Sequence, residues 1–283
     1  MTSRFTNPFR YTPHPLVRDA ARFVISDLDR RIEEGLLPED VCSGFKAGKM
    51  LGVLVCEPEN PEVGPVYLAG FSGSVGGCST IEGFVPPIFD LMDPNGHYKQ
   101  QEEKITDLNN HIRELQNASE YHDYFKMLWH AESERDAELM VMRERMAASK
   151  EDRNRRRAEG CDPEILNRES QHEKAEFKRL KVAYDKRIEN IKSELAGFQH
   201  KIDERKELRA SMSDALQNWL FRQYRVHNFL GEESSIHDIF ASQGLTPPGG
   251  TGECAAPKLL EHAYRMGLKP LAMGEFWYGT SPD

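Results

Sequence analysis

The chain has 283 residues, with 37 Lys and Arg against 46 Asp and Glu, a formal charge of -9. A general nucleic-acid binder is basic, because neutralised phosphates and released counterions supply most of its affinity, so this composition excludes that class for the chain as a whole. The length predicts about two domains at roughly 100–200 residues each, or one domain with a large insertion. No run approaches the roughly 18–20 apolar residues of a membrane helix, and the opening MTSRF lacks the apolar stretch of a signal peptide, so a cytoplasmic protein is expected. Cys42, Cys56, Cys78, Cys161 and Cys254 are odd in number and no two share CxxC spacing. That argues against a disulfide framework or a zinc knuckle, and neither metal nor cofactor is expected.

Residues 1–98 read as a globular N-terminal part. Over residues 16–34, Val17, Ala20, Ala21, Val24, Leu28 and Ile32 recur at helical spacing until Gly35 stops the helix. The apolar runs 51–56 and 66–71 flank a Pro/Gly/Asn segment and predict a strand hairpin with a long loop. A glycine-rich loop (Gly70, Gly73, Gly76, Gly77) and the segment FVPPIFDLMDPNG follow.

The composition changes at Lys99. Residues 99–230 carry 26 basic and 26 acidic side chains in 132 positions, so the whole net charge lies in the flanks. Ile105, Leu108, Ile112 and Leu115 begin a helical stripe that Phe125, Trp129, Leu139, Met142 and Met146 continue. Phe177, Leu180, Tyr184, Ile188, Ile191, Leu195, Phe198 and Ile202 form a second, with a stutter in its spacing. Gly160 and Pro163 sit between them. The expectation is an antiparallel coiled-coil hairpin of two helices of about 60 residues, each near 90 Å long at the helical rise. Residues 231–283 then form a globular C-terminal part packing on 1–98: a short helix capped by Ser234 or Ser235, a loop TPPGGTGE, a helix 255–266 stopped by Gly267, and a strand 270–277. The fold class expected is α+β, a small globular α/β base interrupted by the long hairpin.

Two stretches stand out as candidate sites. Gly249, Gly250, Thr251, Gly252, Cys254 and Lys258 form a glycine-rich loop feeding a helix, which can offer free N–H groups to an anion or other ligand; the stretch is neither Walker A nor GxGxxG. Its competing reading is a tight connection whose glycines permit positive φ. At the helix start the dipole would favour a Cys254 thiolate, but His262 is two turns away and no base stands at a defined spacing, so an ordinary buried thiol is expected. Arg153, Arg155, Arg156 and Arg157 lie at the expected hairpin tip, where they either clamp phosphates or form a solvated turn balanced by Glu151, Asp152 and Glu159. Asp40, Asp90 and Asp93 read as caps and turn residues. Trp219, Phe221, Tyr224 and Phe229 read as the place where the coil docks on its base.

The stretches PFRYTPHPL (8–16), GVLV (52–55), LAGFSGSVGG (68–77), FVPPIFDLMDP (84–94) and GECAAPKLLEHAYRMGLKPLAMGEFWYG (252–279) resemble the N-terminal region of the long bacterial RluA-type RNA pseudouridine synthases. The resemblance implies a globular region interrupted by a charged coiled coil, ahead of a catalytic domain that isomerises uridine in structured RNA, rRNA or tRNA. The family's catalytic aspartate lies in an H-R-L-D type motif; no Arg-Leu-Asp occurs here, so no catalytic residue is assigned and the chain alone is expected to be inactive. The resemblance gives RNA or partner binding as its role, with homodimerisation through the coil open. CAAPK (254–258) also resembles the helix start of some zinc-dependent deaminases, but Ala256 stands where their proton-shuttling Glu would be and no PCxxC segment is present. A stand-alone coiled-coil scaffold or adaptor is the alternative.

Overall fold

The structure, a computed structural model, describes residues 12–58 and 64–281, so the start of the first resembling stretch, residues 8–11, lies outside the described residues. The chain is α+β and divides into two units: Met1–Lys104 together with Met212–Asp283, and Ile105–Ser211.

The first unit is built on a sheet of order β2–β1–β5, antiparallel throughout, with β1 (Lys49–Glu57) between β2 (Val66–Phe71) and β5 (Lys269–Tyr278). Leu51 to Cys56 are all buried, the pattern of a central strand covered on both faces rather than one. Val53 and Val55 meet Val17, Ala20 and Val24 of α1 (Pro15–Glu33), whose apolar residues recur at steps of three and four. Pro15 suits the first turn of α1, and the His14 ring accepts the Leu16 N–H at 3.3 Å. On the other face Leu54 and Cys56 pack on Leu259 and Ala263 of α7 (Ala255–Arg265). Gly52 is required there, because a Cβ on it would lie 2.9 Å from the Ala255 methyl group. The sheet is therefore sandwiched between two helices.

A helix absent from the sequence reading, α2 (Glu39–Ala47), closes one end of the sheet. Its Val41 and Phe45 join Leu28, Leu51, Phe71 and Val75 in a cluster of their own. In the same unit, Leu220, Phe221 and Tyr224 pack with Ile236, Ile88 and Phe89. Trp219 meets Phe89 edge-to-face and His97 at a tilt, with ring centres 5.6 and 4.5 Å apart. Phe229, grouped with these aromatics in the sequence, is instead 78% exposed. Two three-residue strands that the sequence did not signal, β3 (Arg225–His227) and β4 (Glu233–Ser235), pair antiparallel. The short helix α6 (Ile236–Ala241) follows, capped by Ser235, whose Oγ accepts the Asp238 N–H at 3.0 Å.

The second unit is helical. The first stripe is not one helix but two, α3 (His97–Asn117) and α4 (Ser119–Ala158), interrupted at Ala118, which has ψ 130°. Neither Pro nor Gly stands there, and nothing in the local sequence explains the break. α5 (Pro163–Gln223) supplies the second stripe. α4 and α5 are joined by a turn through Gly160 (φ +89°) and pair in opposite directions: Arg156 meets Glu169 at 2.9 Å, Glu134 meets Arg187 at 2.7 Å, and Tyr121 meets Gln199 at 2.9 Å. Beneath these pairs, Ala131, Leu128 and Tyr124 pack on Ile188 and Ile191. No helix among the described residues is long and apolar enough to cross a membrane.

Candidate functional site

The candidate site is a small pocket in the globular unit, with a volume of about 40 Å³, where the end of β2, the start of α7, the end of α5 and the irregular segment 87–92 converge. Lys258 lies one turn into α7 on its buried side, 4% exposed, between the apolar positions Ala255, Leu259 and Ala263. A buried lysine must find acceptors. Its Nζ donates to the carbonyls of Phe71 and Gly73 at 3.0 and 2.9 Å and sits 5.1 Å from the centre of the Phe71 ring. Burial pushes the ammonium pKa down to about 8, against the opposing pull of Glu253. Lys49 donates to the Ser74 carbonyl at 2.7 Å, and its pKa is lowered for the same reason.

Tyr224 stands across the pocket at the end of α5. It is 1% exposed, and its ring lies against Gly252 and Ile236. Its hydroxyl is buried without a hydrogen-bond partner. Burial, then the Glu253 carboxylate through its charge and a long, weak hydrogen-bonding interaction, hold the phenol pKa far above its ordinary value; that approach falls short of a formed hydrogen bond. An unpartnered buried hydroxyl costs about 1–3 kcal/mol, so its retention calls for an explanation. Glu253 is fixed by its own backbone: its N–H donates to the Gly250 carbonyl at 3.0 Å, and its carbonyl accepts the Gly73 N–H at 2.8 Å. Pro87, Ile88, Phe89, Leu91 and Met92 supply an apolar wall.

Of the six loop residues singled out in the sequence, Gly252 and Lys258 line this pocket and the other four do not. Thr251 closes the loop on itself, its N–H and Oγ both reaching the Pro248 carbonyl, at 3.1 and 2.7 Å. At the N-terminus of α7, the Ala256 N–H goes to the Glu275 carboxylate at 3.1 Å and the Ala255 N–H to Ser72 Oγ at 3.3 Å. The anion at that helix start is thus one of the protein's own side chains. Cys254 is exposed rather than buried. Desolvation, then the nearby Glu275 and Glu253 carboxylates, raise its pKa, so the thiol is kept protonated near neutrality despite its place at a helix start. Asp90 accepts from Ser79 Oγ and the Met92 N–H, Asp93 from the Asn95 N–H, and Asp40 lies in the first turn of α2. Among the described residues no group of three or more His, Cys, Asp or Glu side chains could hold a metal ion.

The four arginines separate into two roles. Arg153 is buried and meets Glu173 at 2.7 Å, and Arg156 forms a two-pronged pair with Glu169 at 2.9 and 3.0 Å. Both point at α5. Arg155 faces outward beside Asp152 and Glu159, and Arg157 donates to Asn154 Oδ1 at 3.1 Å. A change at Arg153 is therefore not a surface change. Arg153→Ala is expected to destabilise the helical unit by about 1–3 kcal/mol, leaving Glu173 with only Ser149 and Arg145 beside it, and Arg155→Ala by no more than about 0.5 kcal/mol. Urea unfolding followed by circular dichroism checks this; equal midpoints for the two variants would show that the Arg153 pair is worth no more than a surface one.

In the sequence Tyr224 reads as a docking aromatic and Glu253 carries no signal, because their meeting depends on tertiary packing. One signal was legible: a lysine on the apolar stripe of α7. The chain matches no family model, and comparison with curated proteins and with solved structures finds no match.

Proposed function

We propose that the chain is the accessory N-terminal region of an RNA pseudouridine synthase, holding structured RNA or a protein partner through its helical unit. One observation carries this reading. The stretches at 52–55, 68–77, 84–94 and 252–279 that carry the resemblance all fall in one unit, and the greater part of the charged helices between them, residues 105–211, forms another, which is the interrupted arrangement the resemblance implies. The helical unit then acts as a coiled-coil arm that positions RNA by phosphate contacts without reading bases. The pocket of the globular unit contains no aspartate, and uridine isomerisation is assigned to a separate catalytic domain.

A scaffold or adaptor without an RNA role is the second reading, favoured by Arg153 and Arg156, whose charges are already matched by Glu173 and Glu169. Binding of folded rRNA and tRNA fragments in moderate salt separates the two. Under the first reading the chain retains RNA, and Arg155→Gln with Arg157→Gln lowers the slope of log affinity against log salt by at most about two, while the natural full-length gene product forms pseudouridine and the 283-residue chain does not. No RNA binding, together with no pseudouridine formation by the full-length product, leaves the adaptor.

A further inference from the structure

We propose that the pocket between Lys258, Glu253 and Tyr224 binds a small neutral molecule through a carboxamide group, a property independent of any RNA role of the helical unit. The argument starts from hydrogen-bonding capacity. A lysine ammonium has three N–H donors, and two of those on Lys258 are taken by the Phe71 and Gly73 carbonyls, leaving one for the pocket that it lines. The Tyr224 hydroxyl is a second donor, buried and without a partner. Both seek an acceptor. Glu253, on the same wall, accepts only, as a carboxylate does.

Charge then narrows the ligand. A free anion entering the pocket meets the Glu253 carboxylate; a cation meets Lys258, with Lys49 close behind, since both ammonium groups lie within the field of Glu253. A neutral group that accepts at one atom and donates at the next satisfies all three sides. A carboxamide does so: its oxygen takes the Tyr224 and Lys258 donors, and its N–H₂ faces Glu253. Size agrees, because the volume of about 40 Å³ is little more than the roughly 30 Å³ share of one water molecule and admits only a small head group, such as the three non-hydrogen atoms of a carboxamide. Ile88, Phe89 and Leu91 offer an apolar surface to whatever body the amide is attached to.

Three probes of equal shape test the assignment: benzamide, benzoate and benzamidinium, titrated into the full chain by ligand-observed NMR. Benzamide is expected to bind in preference to the two ions. Tyr224→Phe, which keeps the ring packed on Gly252, is expected to weaken benzamide by about three- to tenfold, the worth of one neutral hydrogen bond, with a melting temperature no lower than that of the parent chain showing that the fold is retained. Preference for either ion, an affinity for benzamide unaltered in Tyr224→Phe, or binding of none of the three, with ordered water as the hydroxyl's only partner, would each overturn the proposal.

Discussion

Lys258→Met is expected to destabilise the globular unit by about 2–4 kcal/mol near neutral pH, because the Phe71 and Gly73 carbonyls lose their donor inside the fold. The more telling result is how that loss depends on pH. The folded-state pKa of Lys258 is depressed to about 8, whereas in the unfolded chain it returns to the ordinary lysine value of 10.5. Between those values the unfolded chain binds the proton and the folded chain does not. Stability conferred by Lys258 therefore rises with pH across that window, by on the order of 3 kcal/mol in total, and is flat below it. The hydrogen bonds survive the titration, since a neutral amine still has two N–H donors. Cys56, whose thiol is pushed up to about 11 by burial, opposes this trend in the wild type but acts equally in the variant, so it cancels in the difference. Urea midpoints of both proteins at pH 7.5 and pH 10 measure it. A gap between them that narrows with rising pH would show that Lys258 is not the desolvated ammonium described above.

Gly252→Ala is the second large effect. The residue has φ +102°, where a side chain is strained, and the added Cβ would lie 2.6 Å from Tyr224 Cδ2 and 3.0 Å from Ile236 Cδ1. Neither neighbour can yield easily, since both belong to the buried cluster at the end of α5. Strain and overpacking each cost about 1–3 kcal/mol, so a loss of roughly 2–5 kcal/mol is expected. Gly249→Ala, three residues earlier in the same loop with no atom within 4 Å of the added Cβ, provides the control and should be close to neutral. Thermal melting of the two variants distinguishes a loop that is merely glycine-rich from one in which a single glycine admits the Tyr224 ring.

The elements that could be read from the sequence are those whose burial is periodic and local. α1 shows its stripe at Val17, Ala20, Val24 and Leu28, and β1 its unbroken apolar run, because each faces a single kind of surroundings along its length. α2 was missed: nine residues containing Gly44 hold too few turns to show a period, and its burial depends on Phe71 and Phe84 arriving from elsewhere. The arginine cluster divides for a related reason. Four arginines in five positions read as one patch, but successive helix positions differ by about 100° in direction, so Arg153 and Arg156 turn towards Glu173 and Glu169 while Arg155 turns away. The pocket lay furthest from view. Its members come from positions 73, 89, 224, 253 and 258, and the pairing of β1 with β5 and the packing of α7 on the sheet bring the two ends of the chain to one place.

That pairing also sets a timetable for synthesis. Glu57 and Lys269 meet across the sheet although 212 residues separate them along the chain. At a ribosomal rate of about 5–20 residues per second, β1 emerges on the order of 10–40 s before the strand that completes its sheet. During that interval its run from Leu51 to Cys56, fully covered in the finished protein, has β2 on one edge and nothing on the other. A nascent chain with such an open apolar edge is a substrate for chaperones or for its own neighbours on the polysome. The inserted helices, rich in local contacts, can fold during the wait, and in doing so they replace a floppy tether between the two halves with a compact one, lowering the entropy lost when β5 finally docks.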